Sequence, residues 1–500
     1  MSIQAQARAA DPVVTTTSGR VRGLQTAAAR VFRAVPYAAP PTGALRFAAP
    51  RPHPGWSGIR DATRPGPTAP QPPRGRLGRL DVSPFFGDGW VSGDDYLTVD
   101  VWSPRDPAPR APVIVFVHCG AAIAGSTRGP VHDGSAFARD GVVLVTVNHR
   151  LGIPGFLHLP DAPDNRGRLD VIAALRWVKD NIDGFGGDPG NVTLAGQSAG
   201  AMTVAGIVGA PDARGAHRRA IIQSGSGTAA FTREQAGIVS AAVGRSLGVE
   251  PTAAGLAACS DRQLVDVLAP LMELDLTTDD APAPIGGITP FGLVLDRQPA
   301  DTLAERGTGV DLLIGSNSEE SSLYLTPFRD LADATEADLH LTAARFHPDP
   351  AGLVAAYRAA RPSASLAALQ VALLGDGMFG VGTRRYAEAH ARSGDGRTFV
   401  YEFTWRSDAL DGQLGASHLM ELPFAFDNAD LAALHGPDAL LGTRPPPADL
   451  ASRMHGAWVR FATDGDPGWS PYSPARPAVE VIGETWESVI GRHAAEFNAW

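Results

Sequence analysis

The segment Gly196-Gln197-Ser198-Ala199-Gly200 does most to restrict what this chain can fold into. It follows the β-branched and apolar run Asn191-Val192-Thr193-Leu194-Ala195 and opens onto Ala201-Met202-Thr203-Val204-Ala205, which reads as a helix. G-x-S-x-G between a strand and a helix is an elbow, and the chain turns so sharply that only glycines leave room at its ends. Such a turn lifts the Ser198 hydroxyl clear of the sheet and aims a helix N-terminus at whatever binds there. The arrangement predicts acyl transfer with Ser198 as nucleophile. A chain with 56 glycines in 500 residues also produces ordinary Gly-rich turns, so the weight rests on the flanking strand and helix.

The surrounding pattern supplies a sheet for that elbow. Val113–Val117 and Val142–Val147 are near-continuous β-branched runs of the kind that parallel strands buried on both faces show. Leu169–Asn181 carries apolar residues at Leu169, Ile172, Ala173, Leu175, Trp177 and Val178, which predicts a helix with one broad buried face. Further strands are predicted at 192–196, Arg219–Gln223, Val310–Gly315 and Phe399–Phe403, and a helix at 199–209. Alternating strands and helices mean an α/β fold with a doubly wound, mostly parallel central sheet. No repeat or linker divides residues 1–500, so one unit is expected; Arg51–Arg79, rich in Pro, Gly and Arg, reads as a surface loop. Residues 232–301 and 326–393 turn helical and loop-rich, and predict a cap over the carboxyl edge of the sheet, where such folds bind ligands.

A net charge of −10 argues against a nucleic-acid partner, which needs a basic face. Almost every base is arginine, with Lys179 the one lysine, a bias expected of a GC-rich bacterial genome. Two cysteines, Cys119 and Cys259, cannot make a disulfide framework. Met1–Val14 lacks the basic start and apolar stretch of a signal peptide, and no apolar run reaches the roughly 18 residues that span a bilayer. A soluble, cytoplasmic, monomeric protein without a membrane partner is the expectation.

A nucleophilic hydroxyl needs a base, an orienting acid and donors for the oxyanion, and in α/β-hydrolases the order along the chain is Ser, acid, His. Several further segments resemble the type-B carboxylesterase family, which includes the cholinesterases. They are Phe32–Pro41, Asp94–Trp102, Asn148–Gly152, Phe185–Pro189 and Gln223–Ser226, spread over nearly the whole chain. The resemblance implies an α/β-hydrolase fold with helical cap insertions. It aligns the triad acid with Glu320 of Gly315-Ser316-Asn317-Ser318-Glu319-Glu320, and spacing alone leaves Glu319 as a rival. It implies His418, in Gly415–Phe424, as the base, and Ser224 and Glu421 as a hydrogen-bonded group behind it.

For the oxyanion it implies the backbone N–H of Ala199 and those of Gly120 and Ala121, in a loop resembling the family's H-G-G-G/A. Cys119 replaces the first glycine there, which would strain the backbone if that position wanted positive φ. Gln197 stands beside Ser198 where the cholinesterase branch has a glutamate, so an attraction for cationic substrates is missing. Arg150 and Asp170 resemble a buried ion pair that braces the elbow strand, and His118 is expected to be structural. The implied function is a serine carboxylesterase acting on uncharged carboxylic esters, with no cofactor or metal and a small-molecule ester as partner. Amide or carbamate hydrolysis by the same residues is the alternative, and a catalytically silent cholinesterase-like binding protein is the remaining one.

Overall fold

The computed structural model describes residues 11–106 and 110–500. Its centre is an eleven-stranded sheet. In chain order the strands are β1 (Leu24–Gln25), β2 (Ala29–Pro36), β3 (Thr98–Pro104), β4 (Ala111–Val117), β5 (Val143–Val147), β6 (Gly187–Gln197), β7 (Arg219–Gln223), β8 (Asp311–Asn317), β9 (Thr398–Phe403), β10 (Ala478–Ile482) and β11 (Trp486–Ile490). Their order across the sheet is β11-β10-β9-β8-β7-β6-β4-β5-β3-β2-β1. The strands β5, β4, β6, β7, β8, β9 and β10 run parallel, and the antiparallel pairs lie toward the two edges. The central strands are buried on both faces, as their unbroken β-branched runs require. The strands toward the edges were not legible in the sequence. β3 carries Asp100 and β10 carries Glu480, polar residues inside short strands that break the apolar signal.

Two helices fix the elbow against this sheet. α1 (Arg166–Asn181) starts three residues earlier than its apolar periodicity predicts and buries Val171, Ile172, Leu175, Trp177 and Val178. α2 (Ala199–Ile207) leaves directly from β6. The register pairs Gly196 with Val117 and Gln197 with Gln223, so the elbow stands at the carboxyl edge of three adjacent strands.

The segments 232–301 and 326–393 are helical as expected. The first contains Arg233–Leu247, opened by a reciprocal Thr232–Gln235 capping box and closed by Gly248 in the left-handed conformation. The second contains Glu336–Ala344, Pro350–Ala360 and a continuous helical stretch, Leu366–Ser393, with a π-turn at Asp376–Gly380. That stretch is long and apolar enough to cross a membrane by length and composition, which corrects the expectation that no such run exists. Its apolar window is 72% buried inside the protein, which is how a core helix meets the same criterion.

The Arg150–Asp170 pair is fully buried, with Arg150 Nη2 2.7 Å from Asp170 Oδ1. Arg150 Nε and its backbone N–H donate to Asp170 Oδ2, and Nη1 donates to the carbonyls of Arg46 and Ala48. The pair therefore ties α1 to the loop at residues 45–48, and not to the elbow strand as the resemblance implied. An isolated charge in this position has no water to solvate it, so Asp170→Asn should destabilise the fold by about 3–5 kcal/mol. Urea unfolding followed by tryptophan fluorescence measures this; a midpoint equal to that of the parent protein would show the pair to be energetically neutral.

Candidate active site

Ser198 has φ 56° and ψ −127°, outside the conformations an L-residue prefers, at a cost of about 1–3 kcal/mol. The sheet holds it there: Ser198 N–H donates to Gln223 O at 2.9 Å, and Ser198 O accepts from Met202 N–H at 2.9 Å. The flanking glycines are sterically required. A Cβ on Gly200 would lie 2.2 Å from Val117 O, and one on Gly196 would lie 2.7 Å from the Gly200 backbone.

The loop after β4 turns back beside this elbow through three successive left-handed residues, Gly120 (φ 125°), Ala121 (φ 57°) and Ala122 (φ 60°). Cys119 is not one of them, so the feared strain at the cysteine falls instead on the two alanines that follow. Their carbonyls are all tied away from the site. Gly120 O accepts from Ile123 and Ala124 N–H, Ala121 O from the Thr289 hydroxyl at 2.8 Å, and Ala122 O from Gly152 N–H at 2.7 Å. Gly120 cannot be replaced, because a Cβ there would sit 1.9 Å from Ala124 O. The backbone N–H groups of Gly120, Ala121 and Ala199 donate to no acceptor among the described residues, and all three residues line one cavity.

Behind the loop, His118 Nδ1 lies 2.8 Å from Cys119 O, and its ring stacks on His149 at 4.8 Å. Burial lowers the pKa of His118 to about 3 and that of His149 to about 4, so both are neutral packing residues at pH 7. Burial likewise pushes the Cys119 thiol up to about 12, which leaves it protonated and unreactive.

Of the two adjacent glutamates, Glu320 is the one that meets a histidine. Its Oε2 lies 2.5 Å from His418 Nδ1, with the two side chains 3% and 2% exposed. Its other oxygen accepts from Asn317 N–H at 2.7 Å, and its backbone O accepts from His418 N–H at 3.2 Å. Glu319 turns the other way, pairing with Arg406 and accepting from Ala416 N–H at 2.9 Å. With Nδ1 engaged, His418 presents Nε2 to the cavity, where the Gln197 amide lies 3.5 Å away. Phe379 stacks on the imidazole at 4.5 Å and 20°, which limits its rotation. Ser198 Oγ makes no hydrogen bond to a described residue; such contacts are often long before substrate binds.

The group expected from Ser224 and Glu421 is assembled differently. Asn317 Nδ2 donates to Glu421 Oε2 at 2.6 Å and to Ser417 O at 2.8 Å, so Asn317 bridges the acid loop and the histidine loop. Ser224 Oγ and Glu421 Oε1 have no partner among the described residues. Burial and the neighbouring Glu320 charge raise the Glu421 pKa to about 7. Asn317 lies inside the acid motif Gly315–Glu320, and nothing in the sequence marks it as a bridge. Phe379 comes from the distant π-turn and had no local signal at all.

The Ser198 and His418 side chains open into one cavity of about 400 Å³, walled by apolar residues such as Met202, Phe231, Phe291 and Leu323. Residues 10–493 match the model of the carboxylesterase family. The chain belongs to the carboxylesterase family. It is 33% identical to phenmedipham hydrolase of Pseudarthrobacter oxydans, over 95% of each chain. It is 32% identical to para-nitrobenzyl esterase of Bacillus subtilis, over 91% of this chain and 90% of the relative. A carboxylesterase structure from Geobacillus stearothermophilus superposes with a TM-score of 0.83 at 31% identity, over 98% of this chain and 99% of that one. The α/β-hydrolase fold and the ester-hydrolase class expected from the motifs are thereby established.

For this carboxylesterase, the elevated Glu421 pKa has a sign for stability. Between about pH 4.5, where an exposed glutamate ionises, and the folded value of about 7, the native state holds a proton that the unfolded chain releases, so stability falls as pH rises through that window. Glu421→Gln removes this linkage. Differential scanning calorimetry should give matching Tm values for the two proteins near pH 5 and a higher Tm for the variant near pH 8. A variant less stable at pH 8 would mean the carboxylate is held charged.

Proposed function

We propose that this carboxylesterase works through an acyl-enzyme on Ser198, with His418 as base and Glu320 as its orienting acid. One observation carries the reading: a buried Glu320–His418 pair in which His418 lines the same cavity as Ser198 and the residues of three backbone N–H groups that have no acceptor among the described residues. His418 Nε2 takes the Ser198 proton as Oγ attacks the ester carbonyl. The N–H groups of Gly120, Ala121 and Ala199 stabilise the tetrahedral oxyanion, a contribution of about 3–4 kcal/mol per donor in related chemistry. Protonated His418 then gives its proton to the departing alkoxide, and water repeats the sequence on the acyl-enzyme. Glu320 keeps the proton on Nδ1 and stabilises the imidazolium, while Asn317 and Phe379 hold the two loops and the ring in place.

Residues 232–301 and 326–393 act in this reading as the cap, since both supply cavity walls, Ile285 and Phe291 from the first and Leu374 and Phe379 from the second. The substrate is a small ester without a cationic group, because the cavity lining contains no aspartate or glutamate and Gln197 is neutral. A single chain supplies every group the reaction needs.

Ser198→Ala should lower nitrophenyl butyrate turnover by about 10⁴-fold or more with an unchanged circular dichroism spectrum. Retention of more than a few per cent of turnover would exclude the serine as nucleophile. Glu320→Gln, which frees His418 to take the wrong tautomer, should lose several orders of magnitude in kcat, and Glu319→Gln far less. Equal and mild losses in the two variants would place the acid elsewhere.

A further inference from the structure

The cavity lining contains two arginines, Arg74 and Arg345, and no carboxylate. The buried arginines of this chain have their donors taken up by the protein, Arg150 by Asp170 and the carbonyls of Arg46 and Ala48, and Arg166 by four backbone carbonyls. Arg74 comes from the loop between Arg51 and Arg79 and reaches inward beside the oxyanion loop. Its guanidinium lies 5.7 Å from the Phe86 ring centre, and Nη1 donates to Gly120 O at 3.4 Å, the long end of a hydrogen bond. It makes no ion pair among the described residues, and the titratable groups that face it, Tyr324 and Cys119, are neutral at pH 7. One long hydrogen bond engages one of five guanidinium N–H donors. Arg74 is partly buried and lines the cavity, and none of its nitrogens is both sealed from solvent and unpartnered, so its remaining donors are open to an anion that enters the cavity.

Its position on the wall says which part of the substrate would supply the anion. The leaving oxygen must face His418 Nε2 to receive its proton. Leu419 and Leu323, which follow His418 and Glu320 in the chain, pack in one core cluster with Val82 and Phe86, the ring beneath Arg74. Ala122, Phe156, Phe231 and Phe291, on the Ala199 side of Ser198, belong to a different cluster. The alcohol arm therefore runs toward Arg74 and the acyl arm away from it. Arg345 is exposed at the rim, in position to draw an anion toward the mouth.

We propose that Arg74 is a specificity residue that binds a carboxylate carried on the alcohol arm of the ester, so that this enzyme hydrolyses hydroxy-acid esters as well as neutral ones. The proposal rests on the Ser198 reading above. A carboxylate at Arg74 forms charge-assisted hydrogen bonds in a water-poor wall, where a neutral alkyl group forms none. The bond made and broken in the reaction is unchanged; Arg74 contributes only to binding.

The test compares kcat/KM for 4-butyryloxybutanoate, butyl butyrate and monobutyl glutarate, followed by acid release in a pH-stat near neutrality. These place the carboxylate on the alcohol arm, on neither arm and on the acyl arm. Arg74→Gln should lower the ratio of 4-butyryloxybutanoate to butyl butyrate by about tenfold or more, and Arg74→Lys should restore part of it. The ratio of monobutyl glutarate to butyl butyrate should stay constant. An unchanged first ratio, or an equal fall in both, overturns the proposal. So does a wild-type enzyme that handles 4-butyryloxybutanoate more than tenfold worse than butyl butyrate, a result that needs no variant to fold. Butyl butyrate separates the two readings: if Ser198→Ala still cleaves it the serine mechanism fails, whereas normal cleavage with an unchanged ratio removes Arg74 alone.

Discussion

The contact on which the rest of this structure depends is the approach of Gly200 to the end of β4, so close that a methyl group would sit 2.2 Å from Val117 O. That closeness lets α2 start directly over the sheet and forces Ser198 into a conformation it would not choose. The parallel register of β4, β6 and β7 resists relaxation, because moving Ser198 would break its hydrogen bond to Gln223 and shift every buried residue along β6. The same edge carries the Gly120–Ala122 loop and, three strands further, Asn317 and Glu320. Position relative to one sheet edge thus arranges groups that lie up to 200 residues apart in the chain.

Electrostatically the site is built by removing water. His118, His132 and His149 are buried and neutral, the Cys119 thiol is kept protonated, and Glu421 holds its proton to about pH 7. The charged side chains at the cavity are the Glu320 carboxylate behind it, bonded to His418 and Asn317 N–H, the Arg74 guanidinium in its wall and Arg345 at its rim. Few charges in a low-dielectric setting act strongly on one another and on a substrate.

Much of this was legible before any coordinates. The central strands announce themselves as β-branched runs because parallel strands have no solvent face, and the elbow as glycines around a serine because no other residue fits. The outer strands β3 and β10 were missed for the converse reason: Asp100 and Glu480 sit inside them, Asp100 answered by the distant Arg33 and Glu480 by the Ser488 hydroxyl of the neighbouring strand. The Arg150–Asp170 pair was implied by the family resemblance, but its other partners, the carbonyls of Arg46 and Ala48, carry no side-chain signature.

Local chemistry in the sequence determined the elbow and the parallel core, because each depends on a steric or periodic rule acting over a few residues, and the family showed as a resemblance of segments spread along the chain. Only the tertiary structure decided between Glu319 and Glu320, since adjacent residues in a turn point in opposite directions and one alone reaches His418. It also moved the strain from Cys119 to Ala121 and Ala122, replaced a Ser224–Glu421 contact by an Asn317 bridge, and brought Phe379 onto the imidazole. These are questions of direction and distance between segments far apart in the chain. Their answers lie in how the core packs, and no spacing along the sequence encodes them.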